Sequence, residues 1–245
     1  MQEVRTSCIH KIEKDMTSEV HNIDCLEYMR TLPDNYFQLA IADPPYGVSY
    51  ARGKNGWGVC DNRPSMEDVK WDATIPEKDF FDELQRVSEN VIIWGGNYFT
   101  HLLPVSKCWI VWDKLDGTTN KSVFADAELA WTNMSKVVRI FRLRQMGFIS
   151  DTKDKDRFHP TQKPTELYAW LLQHYAKDGD RIFDPMMGSQ SSRIAAYKLG
   201  FDYVGCELDK EYFDKGCERF DRECHGITAT PSGTKYQQTS IFDQC

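Results

Sequence analysis

"RIFDPMMGSQSSRIAAYKLGFDYVGCELDKEYF", residues 181–213, reads as strand, tight turn, helix, strand and then an acid. "RIFDP" (181–185) is a short β-branched and aromatic run that Pro185 stops, because proline has no N–H to give a ladder. "SQSSRIAAYKLG" (189–200) has a polar start suited to a helix N-terminus and ends on Gly200, a natural C-cap. "YVGCELD" (203–209) is a second strand, and Glu207 near its end follows the Gly188 turn by about 20 residues. Strand, helix and strand in this sequence make a right-handed βαβ unit of a parallel sheet. The acid is spaced to accept from two ribose hydroxyls beside a turn that a ligand can approach closely. Ser189 and Gln190 break the G-x-G-x-x-G pattern, so the stretch taken alone also fits a plain packing turn.

Outward from this unit the same alternation continues. Strand-like runs recur at 37–43, 90–96, 108–114, 127–133 and 137–143, several of them continuously apolar, as strands covered on both faces require. Helical stretches lie at 76–90, 163–179, 189–200 and 209–224. The expected fold is α/β, a three-layer doubly wound sandwich. Residues 1–225 read as a single domain with loop-rich insertions around 48–75 and 144–158, and 226–245 as a flexible tail.

One strand ends in a way that packing alone does not require. "IADPPYG" (41–47) sets Asp43, Pro44, Pro45 and Tyr46 straight after an apolar run. Neither proline can donate to a ladder, each fixes its own φ, and each pushes the residue before it toward extended geometry. The product is a stiff corner carrying a carboxylate, an unpaired carbonyl and an aromatic ring. It is either a strand-ending turn with an incidental acid or an active-site corner.

The bulk numbers narrow the choice of class. The 245 residues, 41% hydrophobic and 27% charged, suit a globular α/β chain whose core needs no disulfides. No apolar run approaches the roughly 20 residues of a bilayer crossing, and the N-terminal stretch lacks the apolar centre of a signal peptide. The eight cysteines form no C-x-x-C pair. Cys217, Cys224 and His225 come nearest to a metal cluster but lack a fourth ligand at sensible spacing, so no metal is expected. A reducing cytoplasm is the expected compartment. Net charge is −7, yet residues 136–163 carry eight Lys/Arg and only three acids. A basic segment on an acidic body is either an electrostatic footprint for phosphates or a solvated loop.

The pair "DPPY" and "FDPMMGS…ELD", with "RFHPTQKP" (157–164) between them, resembles the S-adenosylmethionine-dependent DNA amino-methyltransferases, which methylate adenine N6 or cytosine N4. "DPPY" is the form usually associated with adenine. The order, catalytic motif, basic middle, "HPTQKP", then cofactor turn, is the permuted order of the family's beta group. "NIDCLEYMRTLPDNYFQLAIADPPYG" (22–47) also matches its usual N-terminal stretch. The likeness covers roughly residues 22–215.

That resemblance implies a class I, Rossmann-like methyltransferase fold with permuted motif order, and a site-specific DNA methyltransferase acting on a flipped adenine. Cytosine-N4 methylation, or a non-catalytic nucleic-acid-binding subunit, are the alternatives. Asp43 and the Pro44 carbonyl would accept from the target amine, Pro45 would stiffen the corner, and Tyr46 would stack on the base. Asp24, Thr161, Lys163, Asp184, Gly188, Ser189 and Glu207 would surround S-adenosylmethionine. Arg142, Arg144, Lys153, Lys155 and Arg157 would meet double-stranded DNA. The recognition insertions are short, which leaves room for a homodimer. The tail segment Gln238–Phe242 resembles a sliding-clamp-binding peptide. The family usually has glycine where this chain has Gln190; an ordinary first-turn helical position is expected there, since Gly188 already supplies the turn.

Overall fold

The computed structural model describes residues 16–47, 75–115, 125–146, 149–150, 158–159, 161–229 and 235–237. Its main sheet is built from β1 (Ser18–His21), β2 (Phe37–Ala42), β3 (Ser88–Trp94), β4 (Trp109–Asp113), β5 (Ala127–Thr132), β6 (Arg139–Arg142), β9 (Arg181–Asp184) and β10 (Asp202–Cys206). The order is β1-β10-β9-β2-β3-β5-β4-β6. Two small hairpins stand apart: β7 (Gln145–Met146) with β8 (Ile149–Ser150), and β11 (Ile227–Ala229) with β12 (Lys235–Gln237).

From β1 through β3 every pairing is parallel, as the apolar runs imply. β5 is the exception, antiparallel to both β3 and β4. The doubly wound α/β sheet is therefore a mixed one. β6 runs parallel to β4, so its C-terminal end lies on the same sheet edge as that of β2.

Alternation along the central strands divides two cores. Leu39 and Ile41 of β2, Ile92 and Trp94 of β3, and Ile182 of β9 face α3 (Thr165–Tyr175) and α4 (Ser191–Leu199). Ala40, Ala42, Val91, Ile93 and Phe183 face the other way, onto α1 (Cys25–Arg30) and α2 (Lys78–Val87). This is the three-layer sandwich that period-2 burial on both faces requires. α2 ends at Val87, three residues before the boundary expected from the sequence, because Ser88 already pairs with Phe37 and the Asn90 side chain donates to the Gln38 carbonyl.

Two expectations need correction. Gln190 is not an ordinary first-turn residue: it is the N-cap of α4 at φ 61°, in the left-handed region, so Gly188 (φ 46°) and Gln190 share the turn. The stretch after α5 (Lys210–His225) does not start as flexible chain. Gly226 caps the helix at φ 65°, and β11 and β12 then pair in register from Ile227↔Gln237 to Ala229↔Lys235.

Candidate active site

β9 and β2 are neighbours in the sheet, but the chain leaves them in opposite directions, β9 toward β10 and β2 toward β3. Such a switch point opens a crevice beyond the C-terminal strand ends, where ligands of open α/β sheets bind. Both motifs singled out in the sequence sit there: Asp43 directly follows β2, and Asp184 ends β9.

At the β2 end the charges are stacked in alternating sign. Lys163 Nζ lies 2.5 Å from Asp43 Oδ1 and 3.4 Å from Glu128 Oε2, and Lys114 Nζ lies 3.2 Å from Glu128 Oε1. The Tyr46 hydroxyl also donates to Asp43 Oδ1, at 2.7 Å. Both donors thus converge on one oxygen, and Oδ2 receives no hydrogen bond from a described residue. Only 4% of the Lys163 side chain is exposed, and its ammonium lies 5.6 Å from the centroids of both Tyr46 and Trp94. Burial pushes the Asp43 carboxyl above the usual range, and the Lys163 charge opposes that push. Burial acts on Glu128 in the same sense, but Lys163 and Lys114 together outweigh it and hold Glu128 below its ordinary value.

The Tyr46 ring lies parallel to Tyr98, centroids 5.1 Å apart with 15° between planes. Its place depends on Gly95 in "WGG" (94–96). A Cβ at Gly95 would stand 2.2 Å from Tyr46 Cε1, and the backbone there has φ 68°, so both space and conformation call for glycine.

At the β9 end the glycine turn closes on Glu207. The Gly188 N–H donates to Glu207 Oε2 at 2.9 Å and the Asp209 N–H donates to Oε1 at 2.8 Å. Backbone donors thus orient both oxygens, which keep acceptor capacity for a ligand diol. Burial raises the Glu207 carboxyl, and these two backbone bonds counter the rise. A Cβ at Gly188 would meet the His159 ring at 3.4 Å, so the turn and the "HPTQKP" segment already lie close. His159 accompanies Thr161, whose hydroxyl is 3.3 Å from Nδ1, and burial lowers its imidazole to about 4, which keeps it neutral at physiological pH.

Asp184 and Ser189 are parts of the frame. Asp184 is buried, accepting from the Met186 N–H at 3.0 Å and from the Ser192 hydroxyl at 2.6 Å, and burial raises its carboxyl to about 7. Ser189 is buried with its hydroxyl 3.2 Å from that of Ser191. Asp24 caps α1, accepting from the Leu26 and Glu27 amides, while Asn22 donates to the carbonyls of Glu207 and Leu208 across the strand ends. Arg142 is exposed, 3.4 Å from Asp113, at the sheet edge shared with Asp43. Four strand spacings separate β6 from β2, about 19 Å. Lys153, Lys155, Arg157 and Gln238–Phe242 lie outside the described residues, as does most of 48–75.

Three contributors went unread in the sequence: Glu128, Lys114 and Gly95. Glu128 carried a signal, being an acid inside the apolar run "AELAW" (127–131), where only a partner would make it tolerable.

A family model described as DNA methylase matches residues 104–218, a span that holds "HPTQKP", the Gly188 turn and Glu207. The type II methyltransferase M2.MboI of Moraxella bovis is 24% identical over 87% of this chain and 90% of its own length. The type II methyltransferase M2.DpnII of Streptococcus pneumoniae is 24% identical over 83% of this chain and 89% of its own. Among solved structures, the complex of M1.HpyAVI with SAM superimposes with a TM-score of 0.54 at 18% identity, covering 83% of this chain and 98% of that one. The cytosine-N4-specific PvuII DNA methyltransferase superimposes at 0.55 with 12% identity, over 82% and 86%. The fold is that of these enzymes.

Proposed function

We propose that the chain is a DNA methyltransferase of the beta-group family and that it transfers a methyl group from S-adenosylmethionine to the exocyclic N6 of an adenine turned out of the duplex. The observation that carries this reading is the switch-point crevice, with the Asp43 corner on β2 and the Gly188–Glu207 turn on its neighbour β9. The residues fit the cofactor. Glu207 offers oriented, partly unused oxygens to a ribose diol, and the missing Gly188 side chain leaves room between the turn and His159. When bound, the cofactor supplies an electrophilic methyl group on a sulfonium.

The protein's own task is to hold the amine. Its nitrogen lone pair is delocalised into the ring, so acceptors that strengthen their grip during attack lower the barrier. Asp43 Oδ2 is the first acceptor, since Lys163 and Tyr46 hold Oδ1. The Pro44 carbonyl is the second, because no proline N–H draws the corner back into the sheet. A base stacking on Tyr46 takes the place of Tyr98, whose side is half in solvent. The fold is shared with a cytosine-N4-specific enzyme, so the adenine assignment rests on the "DPPY" corner.

The DNA-facing edge would be the C-terminal one, from Asp43 to Arg142, extended by Arg144, Lys153, Lys155 and Arg157 and by the 48–75 insertion. A cytoplasmic modification enzyme paired with a restriction enzyme is the physiological role we propose. The clamp-like Gln238–Phe242 segment and a homodimer are proposed from sequence, to be read by polarisation of a 232–245 peptide on a clamp and by sedimentation. The deciding experiment is transfer of labelled methyl to unmethylated duplex DNA, followed by nucleoside analysis. N6-methyladenine is expected, with Asp43→Ala inactive yet still binding cofactor. N4-methylcytosine would replace the adenine reading, and full turnover by Asp43→Ala would remove the corner from the chemistry.

A further inference from the structure

α5 carries its charges outward in i,i+4 pairs such as Lys210–Asp214 and Lys215–Glu211, as an amphipathic surface helix does. Arg219 breaks the pattern. It is 1% exposed, and its guanidinium reaches two other segments. Nη1 donates to the Ser189 carbonyl at 3.0 Å and to the Ser191 hydroxyl at 2.8 Å, both at the end of the Gly188 turn. Nη2 donates to the Thr165 hydroxyl at 3.1 Å, the first residue of α3 and the second after Lys163. Nε donates to Glu223 Oε1 at 2.7 Å, which supplies the counter-charge.

A charge buried this deeply is a poor general stabiliser, because desolvation offsets most of the attraction to its partner. What the planar fork does supply is geometry: several donors fixed relative to one another, joining groups that are far apart in sequence. Here the groups joined are the two walls that the cofactor reading places around one ligand, the glycine turn and the "HPTQKP" segment. The strained residue at the end of that turn is held from the same helix. Gln190 donates to the Phe213 carbonyl at 3.2 Å, and its side chain fills the space left by Gly216, where a Cβ would stand 2.7 Å from Gln190 Cγ.

We propose that Arg219 is a positioning residue for cofactor binding: from outside the pocket it locks the Gly188 turn and the start of α3 into one preassembled wall. This rests on reading the turn as the S-adenosylmethionine site. The proposal predicts a split in kinetic parameters that a mere fold-stabilising role would not produce. In Arg219→Lys, which keeps the charge but cannot bridge both segments, KM and Kd for S-adenosylmethionine rise about tenfold or more. kcat at saturating cofactor and KM for DNA stay near the wild-type values. Thr165→Val and Ser191→Ala each remove one bridge while leaving the charge paired, and each weakens cofactor binding by a smaller factor. Calorimetry with S-adenosylmethionine, thermal melts and steady-state kinetics read all three variants. Should Arg219→Lys lose the fold, the other two decide. Wild-type cofactor affinity in Thr165→Val and Ser191→Ala, whatever their melting temperatures, would overturn the proposal. If the wild-type chain itself binds no S-adenosylmethionine, the reading of the turn falls, and the proposal with it.

Discussion

Replacing Lys163 by Met tests what keeps the Asp43 carboxylate charged. Asp43 is mostly buried, and burial alone would favour its neutral form. Its opposing partner is an ammonium 2.5 Å away that is itself 4% exposed. Taking about 4 Å between charge centres and an effective dielectric near 20, the attraction is about 4 kcal/mol. This attraction favours the charged form alone, so it opposes the push that burial gives the Asp43 titration. The sign follows from the form that works: a carboxylate accepts the amine hydrogen and a carboxylic acid does so poorly. Losing Lys163 therefore moves the acidic limb of the rate profile to higher pH, the Tyr46 hydroxyl bond retaining part of the stabilisation. Initial rates of methyl transfer between pH 5.5 and 10, at saturating cofactor and DNA, make the measurement. Activity of Lys163→Met should be low at pH 7 and recover as pH rises. An acidic limb left in place would refute the reasoning. If KM for S-adenosylmethionine rose instead, Lys163 would return to the cofactor wall that the family resemblance gave it.

Much of the architecture was legible because it depends on burial on two faces. The seven strands read from the sequence are apolar or β-branched runs, and all seven form. β1 was missed. "SEVH" (18–21) is a four-residue edge strand with no apolar run, and only its pairing with β10 makes it a strand. α1 spans six residues, too few for a helical period to stand out. The direction of β5 was invisible for a different reason: its side chains alternate in the same way whichever way it runs, and only the β3 and β4 ladders decide. The two halves of the site could be named because each is local in sequence. What joins them is not. Lys163 meets Asp43 across 120 positions, and Arg219 meets Ser189 across 30. Gln190 misled because φ is a backbone property, and the residue that tolerates this one does so through a glycine on another helix.

The remaining predictions separate cofactor, DNA and fold. Glu207→Gln should weaken S-adenosylmethionine binding about tenfold or more, because the new amide would point N–H groups at the Gly188 or Asp209 N–H as well as lose charge; unchanged affinity by calorimetry would take Glu207 out of the pocket. Neutralising Arg142, Arg144 and Lys155 together should lower the salt slope of DNA binding by about 2–3, and an unchanged slope would mean the basic segment does not meet phosphates. Asp184→Asn addresses pH-dependent stability. Burial lifts this carboxyl from its ordinary 3.8 to about 7 in the folded state. Between those values the folded chain keeps a proton that the unfolded chain releases, so stability falls as pH rises from about 4 to 7, by up to about 4 kcal/mol from this group. An asparagine can still accept from the Met186 N–H, and its NH2 can donate to the Ser192 hydroxyl, which then turns its own hydrogen toward Tyr203. The variant should therefore gain stability relative to the wild type at pH 8 compared with pH 5, measured by urea unfolding. The same difference at both pH values would mean that Asp184 is ionised throughout and that its two hydrogen bonds outweigh its burial.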